Sequence, residues 1–153
     1  MSRTVDWNII DHFIPSEFDP NEVRHISHDL IARLDVLRGQ IGGIHPSRAK
    51  GAWARFDGSK TSGHYAVDRL STAGDIFTQA SARVALFKAI ECGFGGIGIY
   101  EGTRNNRGEP QTMLHVDLRD NLTLWARDAN GEYWYPQRGG DHERKFFEVL
   151  ARC

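Results

Sequence analysis

Four short strand-like runs crowd into residues 96–135 of this chain, and they limit its fold more than any other feature. They are Gly96–Tyr100, Thr112–Leu118, Leu122–Ala126 and Tyr133–Tyr135, each rich in β-branched or aromatic residues and bounded by turn formers. A polar, glycine-bearing stretch, Gly102–Pro110, separates the first two, and Asp128-Ala-Asn-Gly131 supplies a turn between the last two. The helical signals lie elsewhere. Asp19 caps a run beginning at Pro20, with Val23, Ile26, Leu30, Leu34 and Leu37 on one face up to Gly39. Thr78 to Cys92 reads as a second helix with Ala80, Val84, Phe87 and Ile90 inward, stopped by Gly93. Asp141 to Arg152 reads as a terminal helix with Phe146, Phe147 and Leu150 toward the core. Helices followed by consecutive linked strands predict an α+β fold, a small central antiparallel sheet with helices packed on it. At 153 residues, 40% hydrophobic and 25% charged, the chain suits one core and a single domain over 1–153.

Charge and composition remove several function classes. Nineteen basic residues against twenty acidic ones leave a net charge of −1, so no global field favours nucleic acid or an anionic membrane. No apolar run approaches the ~20 residues of a spanning helix, and MSRTVDWNIIDHF lacks the apolar centre of a signal peptide. Two cysteines, Cys92 and Cys153, cannot build a disulfide framework. Seven His and sixteen Gly direct the search for a site. Gly93-Phe-Gly95-Gly-Ile-Gly98 spells the dinucleotide fingerprint, but it follows a helix and enters a strand, the reverse of what phosphate binding needs. It reads instead as a helix stop followed by close packing. Glu22 and His25 have the spacing of carboxylate-bridged iron sites, yet no second copy exists; His25 and His28 are expected on a solvated face.

Two segments concentrate metal-ligand chemistry. In Met113-Leu-His115-Val-Asp117-Leu-Arg119, a period of two puts His115, Asp117 and Arg119 on one face of a strand and Leu114, Val116 and Leu118 on the other. The run Thr61-Ser-Gly-His64 through Asp68 to Asp75-Ile76-Phe77 offers a further imidazole and two carboxylates. A catalytic zinc wants three protein ligands and an open fourth position.

Taken together, Ser62-x-His64, Ala73-x-Asp75-Ile76, Gly96-Ile-Gly-Ile-Tyr100 and His115-Val-Asp117-x-Arg119 resemble the zinc D-alanyl-D-alanine carboxypeptidases and their phage cell-wall endopeptidase relatives (the M15-like peptidases), in particular a phage or prophage branch. The resemblance spans roughly residues 50–135. It implies a hedgehog-like peptidase fold and Zn²⁺ held by His64, Asp75 and His115. The eleven-residue interval from His64 to Asp75 exceeds the usual spacing, and Asp68, four after His64, is the alternative ligand. The resemblance further implies a metallopeptidase that hydrolyses a bond in peptidoglycan stem peptides, with Asp117 or a nearby group as general base. Thr112 stands where the wider group often places that acid. Arg55 or Arg119 would face the developing oxyanion. Without a leader, such a protein would sit in the host cytoplasm until release, or travel in the virion, before acting on the wall. Two other readings are a non-catalytic phage structural or wall-binding protein keeping the fold, and an iron oxygenase using His115, Asp117 and His142 with Arg152 downstream.

Overall fold

The computed structural model describes residues 2–153. Its centre is a sheet of six strands: β1 (Ile44–Pro46), β2 (Ala73–Thr78), β3 (Gly96–Tyr100), β4 (Met113–Asp117), β5 (Thr123–Arg127) and β6 (Tyr133–Trp134), in the spatial order β1-β2-β4-β3-β5-β6. Three helices accompany it, α1 (His28–Ile41), α2 (Ala82–Glu91) and α3 (Gly140–Arg152). The α+β expectation holds. The sheet, however, is mixed: β3 and β5 run parallel, and the other neighbours are antiparallel. After β4 the chain does not fold back beside it. It crosses to the far side of β3, so β3 lies between its hairpin partner and a parallel neighbour.

Alternation sorts the sheet into two chemically distinct faces. One carries Ile76, Leu114, Val116, Ile97, Ile99 and Ala126, all fully buried in the core with Leu30, Leu34, Leu37, Leu86, Phe146 and Val149 from the helices. The other carries Asp75 and Phe77 of β2, Met113, His115 and Asp117 of β4, Gly96, Gly98 and Tyr100 of β3, and Trp125 of β5.

Each of the three helices departs from expectation. Ile26 enters a bridge with Ser71, and Glu22 turns inward to accept the amides of Gly51 (2.5 Å), Trp53 (2.8 Å) and Ala54 (3.0 Å). The helix therefore starts only at His28, with the Ser27 hydroxyl accepting from Leu30 N. The imidazole of His28 is buried, not solvated, and its Nδ1 accepts from Asp6 N at 3.2 Å. Residues 73–78 form a wholly buried strand, so the second helix begins not at Thr78 but after its Ser81 cap. Its inward face is then Ala82, Ala85, Leu86 and Ala89, while Val84 and Phe87 are exposed. In α3, Phe146 and Leu150 are buried and Phe147 faces out.

Candidate metal centre

The polar face of the sheet draws three ligand-type side chains from three separate segments. Asp75 and His115 are direct cross-strand partners on β2 and β4. His64 arrives from a loop fixed over the sheet by backbone bonds: Arg55 N to His64 O at 2.7 Å, Ala66 N to Arg55 O at 2.8 Å and Thr72 N to Gly63 O at 2.8 Å. Gly63 is needed there, because a Cβ would lie 2.8 Å from the Ala73 methyl.

All three side chains are buried, and one ligand atom from each lies within 4.8 Å of the others. His64 Nε2 stands 3.1 Å from His115 Nδ1, and that nitrogen is 3.1 Å from Asp75 Oδ1. Nitrogen and oxygen lone pairs converging inside a sheet face are what a cation requires, and this group could hold a metal ion. The donor chemistry fits, because two imidazoles with one carboxylate leave coordination positions open on the cleft side. Asp75 is thereby distinguished from Asp68, which is exposed and outside the group.

Protonation separates the two imidazoles. Burial lowers His64 to about 4 and outweighs the pull of Asp75, so it is neutral at pH 7. Burial opposes charge on His115 as well, but hydrogen bonds to Asp117 and Asp75 raise it above the ordinary histidine value. A metal would therefore compete with protons at His115 and not at His64. Binding is expected to release a proton from whatever fraction of His115 is protonated, and affinity is expected to rise with pH until the raised value is passed. Calorimetric titration in buffers of differing ionisation enthalpy measures that proton directly.

Asp117 stands behind His115 on the same face of β4. Its Oδ2 meets His115 Nε2 at 2.9 Å, on the side of the ring away from His64 and Asp75, and Arg119 grips both its oxygens at 2.6–3.1 Å. Although burial pushes it up, the His115 and Arg119 bonds hold the Asp117 carboxyl well below the usual carboxylate range. Both oxygens are occupied, so Asp117 is placed to orient His115. Arg119 is correspondingly committed to Asp117 and stacks over Trp125 at 5.1 Å. Arg55 is the cleft cation left without a carboxylate partner among the described residues. It anchors itself by Nε to Gly51 O at 2.9 Å, and its charge is felt at His64.

Residues outside the expected set complete the cleft of about 360 Å³: Tyr100, Trp125 and Tyr133 form its aromatic wall. Trp125 Nε1 donates to Tyr100 Oη at 3.2 Å, and burial pushes the Tyr100 phenol up. Gly98 explains how the wall fits. It pairs with His115 on one side and Trp125 on the other, and its missing side chain lets the two rings approach to 5.1 Å between centroids. A Cβ there would lie 2.4 Å from the indole, and one at Gly96 would lie 2.2 Å from Asp117 Oδ2. The glycines that mimic a nucleotide loop thus make room for the site. Gly98→Ala is expected to displace Trp125 and cost about 2 kcal/mol, read as a lower urea midpoint together with altered tryptophan emission.

A larger hollow, about 840 Å³, lies under the N-terminal arm between Trp7, Phe18 and Val23, with no ligand-type group in it. Convergent chemistry rather than size marks the site. His142, the distal ligand of the oxygenase alternative, sits at the start of α3 with Nδ1 accepting from Tyr135 N at 3.1 Å, apart from the cluster. Among the described residues no helix is long and apolar enough to cross a membrane. No protein-family profile, curated protein or solved structure matches this chain.

Proposed function

We propose that the protein is a zinc-dependent peptidase of the D-alanyl-D-alanine carboxypeptidase and phage endopeptidase type, acting on peptidoglycan stem peptides. The observation that carries this reading is the buried His64–Asp75–His115 group opening onto a cleft with an unpaired arginine. Zinc held there would supply Lewis acidity, lowering the pKa of a water ligand to about 7 and polarising a peptide carbonyl. The protein's own groups do the rest. Asp117, clamped by Arg119, fixes the ring of His115. Arg55 presents its outer guanidinium nitrogens to charge developing on the carbonyl oxygen. Tyr100 and Trp125 restrict how a substrate backbone can lie. The wall as site of action, reached from the host cytoplasm on release or from the virion, belongs to the same proposal.

One observation favours the second reading, a non-catalytic wall-binding protein with the metal as a staple. The cleft holds only two carboxylates, Asp75 among the ligand atoms and Asp117 already bonded. Metal analysis and a stem-peptide hydrolysis assay decide together. The peptidase reading expects about one zinc per chain and hydrolysis lost on chelation. It also expects Asp117→Asn to weaken zinc binding by ~10–100-fold without unfolding the protein. Zinc without hydrolysis would leave the staple, and iron in place of zinc would overturn the assignment.

A further inference from the structure

The polar face of the sheet does not end at the ligands. Along β2 and β4 the next residues on the same face are Phe77 and Met113, themselves cross-strand partners, about 6–7 Å further on at ~3.3 Å per residue. Met113 lines both the metal cleft and a neighbouring hollow of about 440 Å³; Phe77, Asn105 and Asn106 line both that hollow and a third of about 490 Å³. The two hollows and the metal cleft therefore adjoin in a row, a groove with Phe77 and Met113 along it.

Its walls are basic. Arg48 and Arg104 line the nearer hollow and Arg107 the farther one. None of the three has a carboxylate within 4.0 Å among the described residues. Among the described residues lining the two hollows the single acidic one is Glu109 of the farther hollow, and its carboxylate accepts from Asn105 Nδ2 at 3.1 Å. The walls are also pre-formed. Asn106 clasps the loop to the end of β1, its Nδ2 donating to Pro46 O at 2.9 Å and its Oδ1 accepting from Arg48 N at 2.9 Å. Thr103 Oγ1 donates to Gln111 O at 2.6 Å, and Asn105 N donates to Glu109 O at 2.8 Å. Three guanidinium-bearing positions are thus held around a groove one residue-pair from the metal, in a protein whose net charge is −1.

We propose that this groove binds a carboxylate-bearing peptide segment, with Arg48, Arg104 and Arg107 selecting acidic over neutral chains next to the bond presented at the metal. Planar guanidinium groups match carboxylates two bonds at a time, and a backbone already fixed beneath them loses less freedom on binding. The inference rests on the reading that the cleft takes a peptide, and it names the charge of that peptide.

The test uses the metal-loaded full chain and dye-labelled synthetic peptides of one length, oligoglutamate and oligoglutamine, in fluorescence anisotropy at low and physiological salt. Oligoglutamate is expected to bind at least ~10-fold more tightly, a preference that shrinks with salt. R48E/R107E is expected to abolish the preference while metal content stays at the wild-type value. Both side chains are exposed, and R107E alone serves if the double variant does not fold. Equal binding of the two peptides, or a preference that survives R48E/R107E or, where that does not fold, R107E alone, overturns the proposal. So does tighter binding of inorganic polyphosphate, which would make the groove a phosphate site. Charge preference without hydrolysis supports the groove and removes the peptidase. Stem-peptide hydrolysis indifferent to R107E, with no charge preference, does the reverse.

Discussion

His115→Ala is expected to lower metal affinity by at least ~10³-fold and to leave the fold standing. Losing an orienting partner of a ligand costs 10–100-fold, and losing the ligand itself removes a direct bond as well as the link to that partner. The sheet should survive. Asp117 keeps its bidentate pair with Arg119, and the β2–β4 backbone ladder through residues 73–117 does not depend on the imidazole. Inductively coupled plasma analysis and circular dichroism read the two halves separately. His142→Ala is the control: its ring contacts Trp134 and Tyr135, and metal content should not change. Equal metal in wild type and His115→Ala would place the ion elsewhere.

Glu22→Gln carries the largest expected effect on stability. Its carboxylate is buried and accepts three backbone amides, those of Gly51, Trp53 and Ala54. A glutamine would turn an NH₂ toward one of these donors, leaving a buried N–H unpaired against another N–H. At ~1.5–3 kcal/mol for a bond to a charged acceptor, plus the penalty of an unmade one, the loss should reach about 3 kcal/mol. For a chain of this length that is roughly a 10 °C fall in Tm. The consequence is not confined to stability. Trp53 is fully buried against Gly74, where a Cβ would lie 2.1 Å from the indole, and Arg55 follows two residues later. Loosening this segment should also blur the position of the cleft arginine, seen as weaker peptide binding at unchanged metal content.

The chain was legible where period and chemistry agreed. His115 and Asp117 fall on one face because a strand alternates, and apolar spacing located the helices without fixing where α1 and α2 begin or which face of α2 is buried. The antiparallel expectation failed at β5, because nothing in Leu122–Ala126 reveals which side of β3 it will join; that is decided by packing Trp125 over Gly98. Glu22 was opaque for a similar reason. Its partners are amides, which leave no mark in side-chain identity, and they lie about thirty residues away. The role of Asp117 needed coordinates too, since spacing put it beside His115 without saying which ring nitrogen it meets.

Residues 55–61 are exposed throughout, and His64, three residues further on, is the member of the candidate ligand group not borne by a strand. An ion bridging it to β2 and β4 would close a loop whose two ends otherwise meet through the pairing of Arg55 with Tyr65. Closing a short loop removes chain entropy, and an ion that binds only the closed form stabilises it by mass action. Chelation should then act locally, speeding amide exchange across residues 56–66 while the central strands remain protected.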